Sequence, residues 1–178
     1  MKKIVISTLL ATTLLLSNSS ANNSSINSTS KIVESYEKLA SQGEIEAMFN
    51  LGLIYLTGDG AKQDYTKAKE WFLKAANKND TMSAYNLALI YKNGLGVPKN
   101  DKEAYKYVLI AANKNYAQAQ YMLGTMVEKG QGAKKDLKEA FSWFLKAAKQ
   151  GHILSEYRVG KMYRLGEGVA KNDTEAKK

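Results

Sequence analysis

Residues 44–79 read EIEAMFNLGLIYLTGDGAKQDYTKAKEWFLKAANKN, and the chain follows the same pattern again over 80–115, 116–151 and 152–178. Single residues set the register by recurring every 36 positions. They are Tyr55, Tyr91, Val127 and Tyr163; Gly58, Gly94, Gly130 and Gly166; Gly60, Gly96, Gly132 and Gly168; and Ala68, Ala104, Ala140 and Ala176. A fixed period of about 20 to 50 residues is typical of stacked supersecondary units. The sequence therefore predicts a repeat architecture.

Each unit has the pattern of two helices. One face of the first helix is apolar at i, i+4, i+7 and i+8, at Ala47, Leu51, Ile54 and Tyr55. Gly58 follows, where a glycine can take the left-handed conformation that ends a helix. The second helix starts at a polar residue, which is Asp64, Asn100, Asp136 or Asn172. In the last three units a glutamate comes three residues later, which resembles a capping box. We predict an all-α fold, an α-solenoid of stacked helix-turn-helix units.

Small residues also recur inside the helices. Gly52, Ala88, Gly124 and Gly160 share one phase of the first helix. Glycine in a helix interior costs about 1 kcal/mol relative to alanine. Its return at one phase therefore indicates a close approach of two helices.

The repeating signature is L-G-x-x-Y-x-x-G-x-G, followed by K-A-x-x-W-F-x-K-A-A. This pattern resembles the Sel1-like repeat, a 36-residue relative of the tetratricopeptide repeat. The resemblance covers residues 44–178, with departures at Val127 and Ala88, where the family has tyrosine and glycine. It implies a protein interaction scaffold whose first helices line a concave groove.

The N-terminus has the pattern of a secretory signal peptide over residues 1–21. Lys2 and Lys3 precede the apolar run 4–16, and small residues end at Ala21. The run is shorter than the roughly 20 residues that a membrane span needs. We therefore expect export to the periplasm or the medium, with no membrane span after cleavage.

The remaining segments are assigned by their position in the 36-residue repeat. Residues 22–30 are rich in Asn, Ser and Thr and are predicted to be a flexible linker. Residues 31–43 match a second helix and are expected to cap the stack, because terminal repeats need a solvent-tolerant face. The segments 44–79, 80–115 and 116–151 are full repeats and 152–178 is a partial repeat, whose tail we expect to fray.

Composition limits the partners and the chemistry. Without residues 1–21 the chain keeps 24 basic and 17 acidic side chains, a net charge of +7. These charges are scattered, which indicates either a solvated surface or attraction to anionic envelope polymers, and not a nucleic-acid site. With no cysteine, and His152 as the only histidine, we expect no disulfide, metal site or cofactor. His152 falls at the inter-repeat turn, where we expect a surface residue.

The sequence shows no catalytic constellation. Some exported Sel1-like relatives have been assigned penicillin binding or β-lactamase activity, so the resemblance leaves binding or hydrolysis of β-lactams or peptidoglycan fragments as an alternative. Ser28-x-x-Lys31 and Ser35-x-x-Lys38 match S-x-x-K, but S-D-N and K-T-G are absent. We interpret both matches as chance and name no catalytic residue.

Helical geometry leaves one stripe of each first helix for a partner. We call it the first-helix stripe, and its predicted binding residues are Asn50, Leu53, Thr57, Asn86, Leu89, Asn93, Met122, Thr125, Lys129, Arg158 and Lys161. Arg158 is predicted to hold a partner carboxylate. Leu53, Leu89 and Met122 can equally complete the core. The predicted partner is a protein or peptide.

Overall fold

The computed structural model describes the backbone of residues 19–177 and the side chains of residues 30–177. This part of the chain contains eight α-helices and a terminal 3-10 turn, and no strand. The helices are α1 (Ser19–Ser41), α2 (Ile45–Thr57), α3 (Tyr65–Asn77), α4 (Thr81–Asn93), α5 (Asp101–Asn113), α6 (Ala117–Lys129), α7 (Leu137–Ala148) and α8 (Ile153–Leu165), and the turn is Glu175–Lys177. Each helix packs against the next one along the chain. The predicted all-α repeat fold is confirmed.

Glycine ends every first helix as predicted. Gly58 has φ of 81° and its N–H donates to the Ile54 carbonyl at 2.9 Å. Gly94, Gly130 and Gly166 occupy the same left-handed position after α4, α6 and α8. A side chain at this conformation is strained, so the four units share one way of leaving the first helix.

Polar side chains cap the second helices. Asp64 Oδ1 accepts the N–H groups of Thr66 and Lys67, both at 3.0 Å. Asn100 and Asn172 each accept two N–H groups in the same way, and Asp136 accepts that of Glu139. The predicted starts of the second helices at Asp64, Asn100 and Asp136 are therefore confirmed, while Asn172 caps the terminal 3-10 turn.

At Asn100 and Asp136 the reciprocal half of the predicted capping box is wrong: Glu103 bonds to Lys106, and Glu139 bonds to Trp143. The N–H of Asp64 donates to the Tyr55 carbonyl at 2.8 Å, and the other caps bond in the same way to Tyr91, Val127 and Tyr163. The bond ties the second helix to the end of the first, nine residues earlier. Because it uses a backbone carbonyl, valine at position 127 can make it as well as tyrosine.

A large ring fits against each helical glycine. A Cβ on Gly52 would lie 2.5 Å from Cε1 of Phe72, and one on Gly124 would lie 2.8 Å from the same atom of Phe144. Both rings are fully buried. In the second unit Ala88 replaces the glycine and the equivalent second-helix residue is the smaller Val108. The predicted close approach is therefore a small-large fit between the two helices of one unit.

The second glycine of the turns after α6 and α8 has a different role, which sequence reasoning missed. A Cβ on Gly132 would lie 2.1 Å from the Asp101 carbonyl oxygen, and one on Gly168 would lie equally close to that of Leu137. These carbonyls belong to the second helix of the preceding unit. The glycine thus lets one unit pack closely on the unit before it.

The two ends of the described chain differ from the prediction. Helix α1 begins at Ser19, so residues 22–30, predicted as a linker, lie within a helix. That stretch contains no glycine or proline to stop a helix that continues from the anchored residues around Ala40. Residues 1–18 of the expected signal peptide lie outside the described part. The tail expected to fray forms one 3-10 turn, which Asn172 caps.

Candidate binding surface

The first-helix stripe is partly accessible along its length. Thr57, Asn93 and Lys129 end α2, α4 and α6 and are exposed. Seven stripe residues are half-buried, namely Asn50, Leu53, Asn86, Leu89, Thr125, Arg158 and Lys161. Met122 is buried in the core, so at this position the alternative of a core residue applies. Leu53 and Leu89 pack against the core with one side and stay partly open on the other.

Three polar stripe residues bond to their own helix. Asn86 Nδ2 donates to the Met82 carbonyl at 2.9 Å. The Thr57 and Thr125 hydroxyl groups donate to carbonyls four residues earlier at 2.9 and 3.0 Å. An asparagine amide has two N–H donors and a carbonyl acceptor. One bond from Asn86 therefore leaves capacity for a peptide backbone.

Arg158 has a partner within the chain. Its guanidinium donates to the Glu128 carboxylate, and its Cζ lies 5.5 Å from the ring centroid of Phe144. Both charged side chains are largely covered, with exposed fractions of 26% and 15%. This ion pair joins α6 to α8. The predicted role of Arg158 toward a partner carboxylate therefore competes with a carboxylate already in place.

Charge along the stripe changes from one end to the other. Helix α2 carries Glu46 one turn before the stripe residue Asn50, α4 carries no charged stripe residue, and α6 carries the stripe residue Lys129. On α8, Lys161 adds a positive charge, while Glu128 compensates Arg158. The α6–α8 end is therefore the more basic end of the surface.

His152 lies at a contact between units. It is the N-cap residue of α8, and its Nδ1 lies 2.9 Å from the Ser155 hydroxyl. Its ring centroid lies 4.9 Å from that of Tyr121 in the preceding unit. Ser155 is fully buried, so this Ser–His pair offers no hydroxyl to a substrate. His152 is half-buried, and the predicted turn position is right while the predicted surface character is not.

Tyrosines make the same contact one unit earlier. Tyr116, the N-cap residue of α6, meets Tyr85 edge to face with ring centroids 5.2 Å apart. Burial raises the pKa of both phenol groups. Aromatic pairs of this geometry contribute about 0.5–1.5 kcal/mol beyond their buried area. The N-cap phase of the first helix is therefore an inter-repeat contact.

A buried amide network, which sequence reasoning missed, joins the third unit to the second unit. Gln120 is almost fully buried, and its Nε2 donates to the Ala112 carbonyl at 3.2 Å and to Asn115 Oδ1 at 3.0 Å. Gln150 Nε2 donates to Gln120 Oε1 at 2.7 Å. Because the other units have Met48, Ala84 and Glu156 at this phase, the repeat pattern carries no signal for it.

Within residues 30–177, no three His, Cys, Asp or Glu side chains come together in a group that could hold a metal ion. None of the described helices combines the length and the apolar character needed to cross a membrane.

The fold and the stripe define a helical repeat protein, and comparison identifies the class of repeat. The family model described as "Sel1 repeat" matches residues 45–80, 81–116, 117–152 and 153–178. The chain therefore belongs to the Sel1 repeat family. Comparison with curated proteins found no significant match.

Solved structures of the same class are similar to this chain. A protective antigen of uropathogenic Escherichia coli strains, with an SLR fold, is 37% identical over 81% of this chain, with a TM-score of 0.78. A Sel1 repeat protein from Oxalobacter formigenes is 32% identical over 81%, with a TM-score of 0.70. The chain spans only 31% of the first protein and 65% of the second.

A more distant structure shares the fold. Helicobacter pylori cysteine-rich protein B is 23% identical over 73% of this chain and 93% of its own, with a TM-score of 0.58.

Proposed function

We propose that this Sel1 repeat protein is a non-enzymatic scaffold that binds a protein or peptide partner along the first-helix stripe. Family membership supports protein binding in general. The observation that carries the choice of surface is the recurrence of accessible stripe positions on successive first helices. The intervening phases, such as Leu51 and Leu87, are fully buried in the core.

The chemistry of the stripe suits an extended or helical segment of a partner. Asn50, Asn86 and Asn93 carry amide donors and acceptors that can pair with a peptide backbone. Leu53 and Leu89 stay partly open for apolar side chains. We place the acidic end of the partner over Lys129 and Lys161, at the basic end of the stripe. Binding should then weaken as salt screens these exposed charges.

The test is capture of a partner from the cell envelope by the purified protein, followed by affinity measurement with the captured protein once it is identified. Asn50, Asn93 and Lys129 are replaced together by alanine. These changes leave the Arg158–Glu128 pair intact, and we expect affinity to fall at least tenfold, the equivalent of about 1.4 kcal/mol. The melting midpoint should stay close to that of the unchanged protein.

The control variant removes side chains of the same types from the second helices. Asn77, Asn113 and Lys138 are all exposed and are replaced together by alanine. The net charge and the residue types change equally in both variants, and apart from the half-burial of Asn50 only the position differs. Loss of capture by the control variant, with the stripe variant unaffected, would place the binding surface on the second helices.

Export is part of the same proposal. The basic and apolar pattern of residues 1–21 supports it, and a similar protein is described as a protective antigen. We expect protein recovered from the periplasm or the medium to begin at Asn22. Mass spectrometry of its N-terminal peptide tests this, and a peptide that retains residues 1–21 would contradict cleavage.

The β-lactam alternative has less support from the described residues. The Ser35 hydroxyl donates to the Lys31 carbonyl at 2.8 Å, a bond within its own helix. The alternative is tested by incubating the purified protein with a chromogenic cephalosporin. Saturable hydrolysis that withstands Ser28→Ala and Ser35→Ala would support an enzyme and overturn the non-enzymatic proposal.

A further inference from the structure

Exposed apolar side chains concentrate on the first and the last described helix. Six of the seven exposed large apolar residues among the described side chains belong to α1 or α8, and the seventh is Ile110 on α5. The six are Ile32, Leu39, Ile153, Leu154, Tyr157 and Leu165. The helices between the two ends bury nearly all of theirs, so the apolar surface lies at the ends of the stack.

Helix α1 leaves open a face that other second helices bury. Ile32 and Leu39 have the phases of Ala68 and Ala75, which are 0% exposed in the core of the first unit. On α1 the same two positions are 50% and 42% exposed. In the described part of the chain no first helix precedes α1. This face therefore lacks the partner that α2 provides to α3.

Helix α8 leaves open the complementary face. Ile153 and Tyr157 are 77% and 67% exposed. At their phases the earlier units have half-buried residues, and the ring of Tyr121, at the phase of Tyr157, contacts the His152 ring of the next unit. An open cavity of about 490 Å³ lies beside Tyr157, between α7, α8 and the terminal turn. Among its lining residues are Leu145, Ala148, Tyr157, Gly160 and Tyr163.

In the described part of the chain, the opening beside α8 lies where the earlier units place a second helix. Gly52 and Gly124 each receive a phenylalanine ring from the second helix of their unit. At Gly160 the nearest atom to an added Cβ is the Ala176 carbonyl oxygen, at 3.2 Å. Helix α1 has the phase of a second helix and an open apolar face. It is therefore the element of this chain that matches the opening.

We propose that α1 of one copy packs against α8 of another copy, so that copies associate head to tail. Glu44 has the phase of His152, so Tyr157 would meet Glu44 of the second copy as Tyr121 meets His152. The contact joins two different surfaces and leaves one of each free. Such heterologous contacts form open chains unless the rotation between copies closes a ring. This association does not depend on the function of the first-helix stripe.

The terminal turn competes for the same place. Residues 31–33 have the phase of Glu175–Lys177, which already covers part of α8. Full docking of α1 therefore displaces the turn. A single helical turn has little stability of its own. Deleting residues 172–178 should accordingly strengthen the association, because the competing state is removed.

Sedimentation velocity of the purified full chain over a range of concentrations tests the proposal. One variant carries Ile32→Glu and Leu39→Glu, and another carries Ile153→Glu and Tyr157→Glu. We expect the average mass of the unchanged protein to rise with concentration and each variant to stay monomeric. An equimolar mixture of the two variants should form dimers and nothing larger, because only one pair of intact ends remains.

The matched control is Leu154→Glu with Leu165→Glu, also on α8. At the phase of Leu154 the other units have the exposed Glu46 and Gln118 and the half-buried Met82, and at the phase of Leu165 they have the exposed Thr57, Asn93 and Lys129. This control should associate like the unchanged protein, and circular dichroism should show equal helix content throughout. An unchanged protein that stays monomeric, an end variant that dimerises alone, or a mixture that stays monomeric overturns the proposal. So does a deletion of 172–178 that leaves association unchanged.

Discussion

At the residue scale, the pair formed by Gly52 and Phe72 shows how two positions 20 apart determine each other. The ring occupies the space of the absent Cβ. The second unit has Ala88 and Val108 at these two phases, and the two side chains differ less in size than those of Gly52 and Phe72. The second unit is therefore a natural example in which both members of the pair have been replaced together.

We predict that Gly52→Ala destabilises the protein although alanine is the better helix former. Overpacking typically costs about 1–3 kcal/mol, which exceeds the gain of about 1 kcal/mol in helix propensity. Phe72→Val leaves a cavity and should also destabilise. The double variant should lose less than the sum of the two, by about 0.5–3 kcal/mol.

Chemical denaturation of the four proteins of this cycle measures the coupling. Gly160→Ala is the control, because no ring lies against that glycine. It should be far less damaging than Gly52→Ala. Additive losses in the Gly52 and Phe72 variants would show that the small-large fit does not determine this phase.

At the scale of the helix, the side chain and the backbone N–H of the N-cap residue make different hydrogen bonds at the start of each second helix. The Asn100 side chain accepts the N–H groups of Lys102 and Glu103, both at 3.1 Å. The Asn100 N–H itself donates to the Tyr91 carbonyl at 2.9 Å. Glu103 therefore has no part in capping, unlike the glutamate of a capping box.

These hydrogen bonds predict that substitutions of Asn100 and Glu103 lower the free energy of unfolding by different amounts. Asn100→Ala should lower the free energy of unfolding by about 1 kcal/mol, the usual value for a lost N-cap. Glu103→Ala should stay within about 0.5 kcal/mol, since the glutamate forms only an exposed ion pair with Lys106. Thermal unfolding followed by circular dichroism compares them. Equal losses would show that the glutamate does help to start α5.

Sequence reasoning found the features that depend on local phase. The glycine stops and the polar caps depend on neighbouring residues, and the 36-residue period recurs along the chain. All three could therefore be predicted from the sequence. Contacts between units could not. The Arg158–Glu128 pair and the Gln120 network each join residues about 30 apart and do not recur in every unit. A pattern that repeats carries no signal for an interaction that occurs once.

The candidate site could be predicted only in part from the sequence. Helical geometry predicted which stripe of each first helix stays accessible, and ten of its eleven predicted residues are exposed or half-buried. Met122 is the exception, because the apolar side chain completes the core beneath α6. The engagement of Arg158 by Glu128 depends on the packing of α6 and α8, which the sequence does not specify.

At the scale of the whole molecule, we propose that the partner contacts the first helices and not the second helices. Asn93 and Asn113 form a matched pair for a test. Both are exposed asparagines, and they are the last residues of α4 and α5. Replacing either with a photo-crosslinking amino acid places the same probe on the two kinds of helix within one unit.

The most direct measurement is the yield of light-induced crosslinks to the partner from these two positions in the cell envelope. We expect a discrete crosslinked species from the probe at position 93, and none above background from the probe at position 113. Crosslinks from position 113 with none from position 93 would contradict the claim and place the binding surface on the second helices.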